Sequence, residues 1–283
     1  MTNCLIDPEY LRPRLLHREN DSHKGDYGHL LVVAGCQSMP GAAVLATGAA
    51  LVSGCGLVTL HSTARALQAV VNNFPSAMLS EDSGEHVSRI PEAPGRYSAI
   101  AVGPGLGREP AEALQGLIAA AGEAGVPMVL DADALNLLSV HPAWLPMIPA
   151  GSVMTPHLGE LRRLVPFDRG REEEAARELA ARSGCVVVMK GYRSRVISPG
   201  GTVLVNTTGN PGMAKGGSGD VLTGLVGGLM ARGYAAPDAA ALGVWLHGFA
   251  GDALSAARTS DPWSSRDLID SLYTGFVALV NEG

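Results

Sequence analysis

A single carboxylate, Asp220, stands at the end of a dense run of small residues. Residues 210–229 read NPGMAKGGSGDVLTGLVGGL, and the small residues that directly precede the acid are Gly216, Gly217, Ser218 and Gly219. Small residues before a helix let successive backbone N–H groups point into one concavity, to which the helix N-terminus adds partial positive charge. The spacing therefore predicts a phosphate-binding nest at residues 216–219, with an acid at its edge.

Asp220 suits the role of a catalytic base. The dipole of the helix that starts here favours the ionised form, which predicts a carboxylate at neutral pH that can take a proton from an attacking hydroxyl. The alternative is a first-turn acid that only stabilises the helix, by about 0.3–1 kcal/mol. The surrounding glycines and Lys215 favour the catalytic interpretation.

Other motifs for phosphate, metal or nucleophilic chemistry do not fit the sequence. It contains neither a GxxxxGK[ST] loop nor an HExxH pair, and GGSGD departs from the GxSxG nucleophile elbow at its last position. GPGLG at residues 103–107 lacks the GxGxxG spacing of a dinucleotide-binding turn. His157 and Glu160 alone are too weak a pattern to predict zinc.

Composition limits the classes of protein to consider. The 283 residues are 46% hydrophobic, without a linker or repeat, which predicts a single domain over residues 1–283. The net charge of −6 argues against a nucleic-acid partner. Four scattered cysteines without a CxxC pair argue against disulfides and zinc, and they suggest a reducing cytoplasmic location.

Two segments bear on membrane association. The first twenty-one residues are too polar and acidic for a signal peptide. Residues 41–60 carry no charge but are rich in Gly and Ala and lack basic flanks. We expect a buried helix followed by a strand there, in a soluble chain with no membrane partner.

Short β-branched runs alternate with helical patterns along most of the chain. Continuous apolar runs of this kind are typical of parallel strands covered by helices on both faces. The predicted strands are residues 29–35, 56–62, 98–105, 127–133, 151–156 and 185–191. The predicted helices are residues 42–52, 109–121, 158–164, 172–182, 219–230, 236–256 and 265–280, and residues 193–207 predict an antiparallel hairpin.

The ends of these strands carry the candidate site residues. In open parallel sheets ligands bind beyond the carboxyl ends of the strands. The residues there are Gly35, the loop 103–107, Asp131, Asp133, Thr155 to His157, Lys190 and Gly191. Lys190 could reach phosphate oxygens or be a solvated lysine at the start of the hairpin, and Asp131 and Asn136 could line a cleft or cap a helix.

Several motifs, in order through nearly the whole chain, resemble one family. TPHLGEL (residues 155–161), VMKGYRS (188–194) and NTTGNPGMAKGGSGDVLTG (206–224) are similar to the ADP-dependent NAD(P)H-hydrate dehydratases of the ribokinase-like superfamily. HKGDYGHLLVVAGC, AVGPGLG and VLDADALNLL support the resemblance. It implies a three-layer α/β sandwich with a mostly parallel central sheet and helices on both faces.

The resemblance also implies an activity. Members remove water from NADHX and NADPHX, the hydrates of NADH and NADPH. In bacterial members ADP donates a phosphoryl group and AMP and phosphate are released, and ATP is a possible donor in place of ADP. Mg²⁺ is implied without assigned protein ligands. An ordinary small-molecule kinase of the same superfamily, of the hydroxyethylthiazole or pyridoxal type, is the alternative, and a non-catalytic nucleotide sensor is a third.

Site residues follow from the resemblance position by position. The implied hydrate-binding residues are Ala43, Gly105, His157 and Asp220. The implied nucleotide-binding residues are Lys190, Gly191, Tyr192, Arg193, Ser194 and Gly219. His157 could instead act only as a helix cap. Relatives are commonly tetramers, so a homo-oligomer is implied, and the short segment before the first predicted strand leaves any epimerase to a separate protein.

Overall fold

A computed structural model describes residues 4–89 and 93–281 of the chain. The strands, in chain order, are β1 (Cys4–Ile6), β2 (His29–Val33), β3 (Leu57–Thr63), β4 (Met78–Asp82), β5 (Ala99–Val102), β6 (Met128–Leu130), β7 (Val153–Met154), β8 (Val186–Met189), β9 (Arg195–Ile197) and β10 (Val203–Asn206). The α-helices are α1 (Pro8–Leu11), α2 (Pro40–Val52), α3 (Ala64–Asn73), α4 (Ala111–Ala124), α5 (Ala132–Val140), α6 (Leu158–Leu164), α7 (Glu172–Ser183), α8 (Ser218–Ala231), α9 (Ala236–Arg258) and α10 (Ser265–Asn281).

All the described strands join one sheet, in the order β1-β10-β9-β8-β7-β6-β5-β2-β3-β4. Among them, β9 alone is antiparallel to its neighbours. The chain order reverses between β2 and β5, because β3 and β4 extend the sheet to one side and β6 to β8 to the other. A crevice at such a reversal is where open α/β sheets bind ligands.

Alternate residues of the central strands feed two separate cores. Leu30, Val32, Ala99 and Ala101 pack under α2, α8 and α9, whereas Leu31, Val33, Ile100 and Val102 pack under α4, α5 and α7. This period of two puts an apolar side chain on both faces of each strand, which is why the strands read as unbroken apolar runs. The result is the three-layer arrangement with helices on both faces.

Most predicted elements are confirmed, with shorter strands. The predicted strand 127–133 ends at Leu130, because Ala132 and Asp133 begin α5. The hairpin at residues 193–207 is confirmed by the antiparallel pairing of β9 with β10 and by the bond from Gly201 N–H to Ser198 O. Sequence reasoning missed β1, β4, α1, α3 and α5. Of these, β1 has only three residues, and β4 is a mostly exposed edge strand without a continuous apolar run.

The uncharged stretch at residues 41–60 forms most of α2 and the start of β3, as expected for a buried helix followed by a strand. None of the helices in the described ranges combines the length and the apolar character needed to cross a bilayer.

Glycines in α8 set how closely it packs against α2. A Cβ at Gly224 would collide with the backbone carbonyl of Ala46, and one at Gly228 with the hydroxyl of Ser53. Close backbone contact leaves no room for even one methyl group. The glycines that follow the proposed nest therefore serve helix packing, and the same contact holds the N-terminus of α8 in place over the sheet.

Gly224→Ala is expected to lower the free energy of unfolding by about 1–3 kcal/mol, since overpacking against a backbone atom cannot be relieved by rotating a side chain. Urea unfolding followed by circular dichroism measures the change. Gly41→Ala, in α2, is the control because nothing lies within 4 Å of its added Cβ. Equal stabilities of the two variants would contradict this account of the α2–α8 contact.

Candidate active site

A cleft of about 730 Å³ lies beyond the carboxyl ends of the strands, beside the N-terminus of α8. Its lining includes every predicted nucleotide-binding residue and His157. The site residues that line it are His157, Lys190, Gly191, Tyr192, Arg193, Ser194, Ser218 and Gly219. Segments that are far apart in the sequence therefore form one cleft. Of the predicted strand-end residues, His157, Lys190 and Gly191 line it, whereas Gly35, the loop 103–107, Asp131, Asp133, Thr155 and Pro156 do not.

The N-terminus of α8 has free backbone donors, but only part of the predicted nest faces the cleft. The first backbone bonds of the helix run from Ser218 N–H to Lys215 O and from Val221 N–H to Gly217 O. The N–H groups of Gly219 and Asp220 have no protein acceptor within the described residues. These two donors, with the helix dipole, are the available anion-binding groups.

Gly217 and Gly216 have structural roles at this corner. Gly217 precedes the helix with φ +88°, a left-handed conformation that favours glycine, and a Cβ there would collide with Leu45. The carbonyl oxygen of Gly216 accepts a hydrogen bond of 2.8 Å from the Ser265 hydroxyl. Of the predicted nest, Ser218 and Gly219 thus line the cleft. The two glycines before them allow the chain to turn sharply into α8.

Asp220 lies half-buried in the first turn of α8, and its environment differs from the sequence expectation. Burial, with the nearby carboxylates of Asp131 and Asp133, raises the pKa of Asp220 to about 7, and Lys190 opposes the rise. The prediction of a carboxylate at neutral pH is therefore only partly right, because a group with a pKa of about 7 is partly protonated there. Desolvation and like charges outweigh a dipole effect of about 1 kcal/mol.

Lys190 is at the centre of a carboxylate cluster and is not a solvated lysine. Its Nζ lies 2.6 Å from Asp131 Oδ1 and 3.9 Å from Glu160 Oε2. Asp131 is almost fully buried, and its other oxygen accepts a hydrogen bond of 2.6 Å from the Thr223 hydroxyl of α8. Because Gly219 has no side chain, the ammonium can lie next to the start of α8.

The role of Asp131 is therefore neither of the two alternatives left open by the sequence. It precedes α5 without making a side-chain capping bond, and its carboxylate is occupied by Lys190 and Thr223. Asn136 donates instead to Asp133, whose second oxygen accepts from Gly107 N–H at 2.9 Å. Asp133 thereby connects the 103–107 loop to α5.

His157 and Glu160 form a capping box at the start of α6. The His157 Nδ1 accepts from Gly159 N–H at 2.9 Å, and a Glu160 oxygen accepts from His157 N–H at 2.8 Å. Burial raises the pKa of Glu160, with Asp131 adding to the rise and Lys190 opposing it. The imidazole is 54% exposed and lines the cleft, so the capping role leaves its outer face accessible to a ligand.

Ala43 and Gly105 lie away from the cleft, beside the reversal between β2 and β5. Gly105 has φ +58° and packs against Ala42, where an added Cβ would lie 2.6 Å from the alanine Cβ. Ala43 is fully buried, next to Gly35. Of these two predicted hydrate-binding positions, neither lines the cleft, and only Gly105 is partly exposed.

Sequence reasoning missed one residue at the cleft, His247, and gave Lys215 a place that the structure does not support. His247, buried within α9, bonds through Nε2 to the Ser218 carbonyl oxygen at 2.9 Å, and burial lowers its pKa to about 4. A lone histidine in an apolar helix was the available signal. Lys215 does not face Asp220: its Nζ donates to the carbonyls of Asp261 and Trp263, each at 2.7 Å.

Comparison with known proteins assigns this chain to a family. Residues 30–273 match the family model described as NAD(P)H-hydrate dehydratase. The chain belongs to the NAD(P)H-hydrate dehydratase family. The match runs from β2 to the middle of α10 and includes every residue that lines the cleft.

Individual members of the NAD(P)H-hydrate dehydratase family are similar in sequence to most of this chain. The bifunctional NAD(P)H-hydrate repair enzyme of Moorella thermoacetica is 37% identical over 95% of this chain and 53% of that protein. The ADP-dependent (S)-NAD(P)H-hydrate dehydratase of Neisseria meningitidis serogroup B is 38% identical over 84% of this chain and 80% of that protein. The chain thus spans about half the length of its bifunctional relatives.

A solved member of the NAD(P)H-hydrate dehydratase family has the same fold over its full length. The ADP/ATP-dependent NAD(P)H-hydrate dehydratase of Bacillus subtilis, co-crystallised with ATP and Mg²⁺, is 30% identical with a TM-score of 0.86, covering 99% of each chain. A ribokinase-like superfamily protein of Enterococcus faecalis V583, 25% identical, covers 98% of this chain and 96% of its own with a TM-score of 0.84. The predicted ribokinase-like fold is confirmed.

Proposed function

We propose that this chain dehydrates the (6S) hydrates NADHX and NADPHX to NADH and NADPH, with ADP as phosphoryl donor. The observation that carries the proposal is the placement of Lys190 and the start of α8, with its free N–H groups, at a nucleotide-sized cleft. Asp220 is not part of the cleft lining, but it follows Gly219 directly and interacts electrostatically with Lys190. The family membership of the chain selects the hydrate as the acceptor. ATP as an alternative donor is supported by the Bacillus subtilis relative, an ADP/ATP-dependent enzyme that was co-crystallised with ATP and Mg²⁺.

The proposed reaction converts a poor leaving group into a good one. Asp220 takes the proton of the hydrate hydroxyl, whose oxygen attacks the terminal phosphorus of ADP while the bond to the bridging oxygen breaks and AMP leaves. The new phosphate ester then departs from the ring carbon, pushed by the lone pair of the adjacent ring nitrogen. Loss of a proton from the neighbouring carbon restores the double bond, so one AMP and one phosphate accompany each NADH.

In this mechanism the chain supplies positioning and charge more than covalent chemistry. The Gly219 and Asp220 N–H groups would bind the transferred phosphoryl group, with the dipole of α8 stabilising its charge. The Lys190 ammonium would leave Asp131 in part to contact a phosphate oxygen. A base with a pKa near 7 is well suited to accept a proton at neutral pH.

The remaining lining residues suit the rest of a nucleotide. Pro211, Met213, Leu222 and Val244 give the cleft apolar faces that a nucleobase can pack against. Lys190, Gly191, Tyr192, Arg193 and Ser194 remain the proposed AMP and ADP contacts. Gly105, His157, Asp220 and Ala43 remain the proposed hydrate contacts.

Mg²⁺ fits this site as an ion that arrives with the phosphates. No group of three or more His, Cys, Asp or Glu side chains suited to a metal is found in the described residues. Mg²⁺ commonly takes one or two carboxylates plus substrate phosphates. The carboxylates beside Lys190, those of Asp131 and Glu160, are buried and already hydrogen-bonded, so no protein ligand is assigned to the ion. When bound, the ion would neutralise phosphate charge.

The pH dependence should show the raised pKa of Asp220. A protonated Asp220 cannot accept the hydroxyl proton, so the rate is expected to rise with pH through an apparent pKa near 7. At one pH unit below that pKa, kcat/KM should be about tenfold under its plateau. AMP release, measured over a pH series at saturating ADP, tests this. A profile flat down to pH 5 would show that the base is ionised well below neutrality.

The direct test of function is incubation with NADHX and ADP, following NADH absorbance and AMP release. Equal amounts of NADH and AMP support the proposal, and omission of ADP should abolish both. The competing function is a small-molecule kinase of the same superfamily, which also needs the Asp220 region. Phosphorylation of hydroxyethylthiazole or pyridoxal without NADH recovery would establish that alternative.

We also propose the domain organisation, assembly, partner enzyme and location of this protein. We propose a single domain over residues 1–283 that assembles as a homo-oligomer, with a tetramer as the assembly implied by the resemblance. A separate epimerase would supply the (6S) hydrate from its epimer. A cytoplasmic location is proposed because NADH, NADPH and ADP are used there.

A further inference from the structure

The segment 208–213, TGNPGM, forms one wall of the cleft but contains no acid, base or cation. Thr208, Gly209, Asn210, Pro211 and Met213 all line the cleft. Met213 N–H and Ala214 N–H make short turn bonds to Asn210 and Pro211, and the segment belongs to no strand or α-helix. These bonds form a short 3-10 helix, Pro211–Met213, which holds the turn but not its placement against the cleft; that placement depends on contacts with another part of the fold.

That other part is α9. A Cβ at Gly248 would lie 2.9 Å from Gly209 N, and a Cβ at Gly251 would lie 2.7 Å from Met213 Sδ. Gly248 and Gly251 are one helical turn apart, so together they form a shallow groove along α9 into which the segment 208–213 fits. Backbone packing alone positions the segment but does not fix its rotation in the groove.

Asp252 and Ser255, on the same face of α9, provide the directional contacts. Asp252 Oδ2 accepts from Gly209 N–H at 2.9 Å, and Asp252 Oδ1 accepts from Asn210 Nδ2 at 2.8 Å. The other side-chain atom of Asn210, Oδ1, accepts from Gly212 N–H and from the Ser255 hydroxyl, each at 2.9 Å. We call these four hydrogen bonds the Asp252–Asn210 clamp.

We propose that Asp252 is a positioning residue for the nucleoside diphosphate. It acts through the Asp252–Asn210 clamp, which holds the segment 208–213 that forms one wall of the cleft. This inference rests on the proposed function, since it takes ADP as the occupant of the cleft. Asp252 does not itself line the cleft. A wall that is already fixed in the free protein spares the nucleotide the cost of ordering it, which is how preorganisation raises affinity.

Two single substitutions break the clamp in opposite ways. Asp252→Asn places one amide NH₂ against that of Asn210, so two donors face each other. Asn210→Asp places a second carboxylate against Asp252, so two acceptors with like charge face each other. Since hydrogen bonds to charged groups are the strong ones, each change is expected to weaken ADP binding by about tenfold or more.

The double variant Asp252→Asn with Asn210→Asp should restore all four hydrogen bonds. The new amide at position 252 accepts from Gly209 N–H through its oxygen and donates through its nitrogen to the new carboxylate at position 210. That carboxylate still accepts from Gly212 and Ser255. ADP affinity is therefore expected to return to within about threefold of the wild type, at unchanged net charge.

Isothermal titration calorimetry with ADP on the full-length chain measures the four affinities. Asp270→Asn is the charge control, because Asp270 is an exposed carboxylate on α10 that pairs with Arg266. The KM for ADP should rise in the single variants while the KM for NADHX stays within about twofold, a split that a general loss of folding would not produce.

The outcomes are distinct. Weak binding in both single variants with recovery in the double variant supports the clamp. ADP affinity equal to the wild type in both single variants overturns it, as does a well-folded double variant that binds as weakly as the singles. If a single variant fails to fold, the affinity of the double variant decides. A wild type that does not bind ADP overturns the proposed function and the clamp together.

Discussion

Asp220→Asn is expected to reduce hydrate turnover by about 10²- to 10⁴-fold while ADP binding is largely retained. The amide has nearly the shape of the acid but cannot accept the hydroxyl proton, so the chemical step loses its base. The backbone N–H groups that would hold the phosphoryl group belong to the main chain and remain. Single-turnover release of AMP from ADP in the presence of NADHX measures the loss, and calorimetry measures ADP affinity.

Asp238→Asn is the matched control, because Asp238 occupies the third position of α9 as Asp220 does in α8. Asp238 pairs with Arg14 outside the cleft, so its substitution should leave turnover within about twofold of the wild type. Turnover by Asp220→Asn at the wild-type rate would remove Asp220 from the mechanism. Equal losses of turnover in both variants would indicate that a first-turn acid acts by stabilising its helix and not by proton transfer.

Asp220→Asn should also make the protein more stable than the wild type at high pH. The pKa of Asp220 is raised in the folded protein, so the native state binds its proton more tightly than the unfolded chain does. Stability from this group is therefore complete below its unfolded pKa and is lost as pH rises through about 7. Asn carries no charge, so we expect the Tm advantage of the variant to be larger at pH 8 than at pH 5.

Lys190→Met is expected to lower kcat/KM by about 10²- to 10³-fold, because it removes the cation that lies among the carboxylates at the cleft. Lys190 lowers the pKa values of both Asp220 and Glu160, so its loss raises both. The acid limb of the pH profile should therefore move to higher pH, in addition to the fall in rate. Weaker ADP binding should accompany these changes.

The shift of the pH profile separates this role from simple misfolding. A structural defect would lower the rate at every pH by a similar factor, whereas loss of the ammonium changes which pH supports activity. Lys24→Met, in an exposed turn, is the control and should leave rate and profile unchanged. An unshifted acid limb in Lys190→Met would contradict the electrostatic coupling between Lys190 and Asp220.

The family motifs at the cleft differ in how far they can be interpreted from the sequence. GGSGD is readable because a helix start, its dipole and its acid are all local features. GNPGMA has no comparable local meaning, since Asn210 contacts Asp252 and Ser255, which follow more than forty residues later in α9. A motif of that kind becomes interpretable only when its partner is known.

The sequence by itself determined the parallel sheet, the hairpin and the position of the site. Unbroken apolar runs require helices on both faces, and parallel strands bring their carboxyl ends to one edge. Lys190 and His157 each follow such a strand, and they do lie side by side. Each of those inferences uses information contained within a few residues of the element concerned.

The tertiary structure alone decided the electrostatics and the supports of the site. The pKa of Asp220, the pairing of Lys190 with Asp131, and the clamp on Asn210 all depend on side chains brought together from distant elements. It also showed that Gly217 packs against Leu45, so that only part of the predicted nest faces the cleft. Desolvation and charge proximity arise from packing, and they have no signature in local sequence.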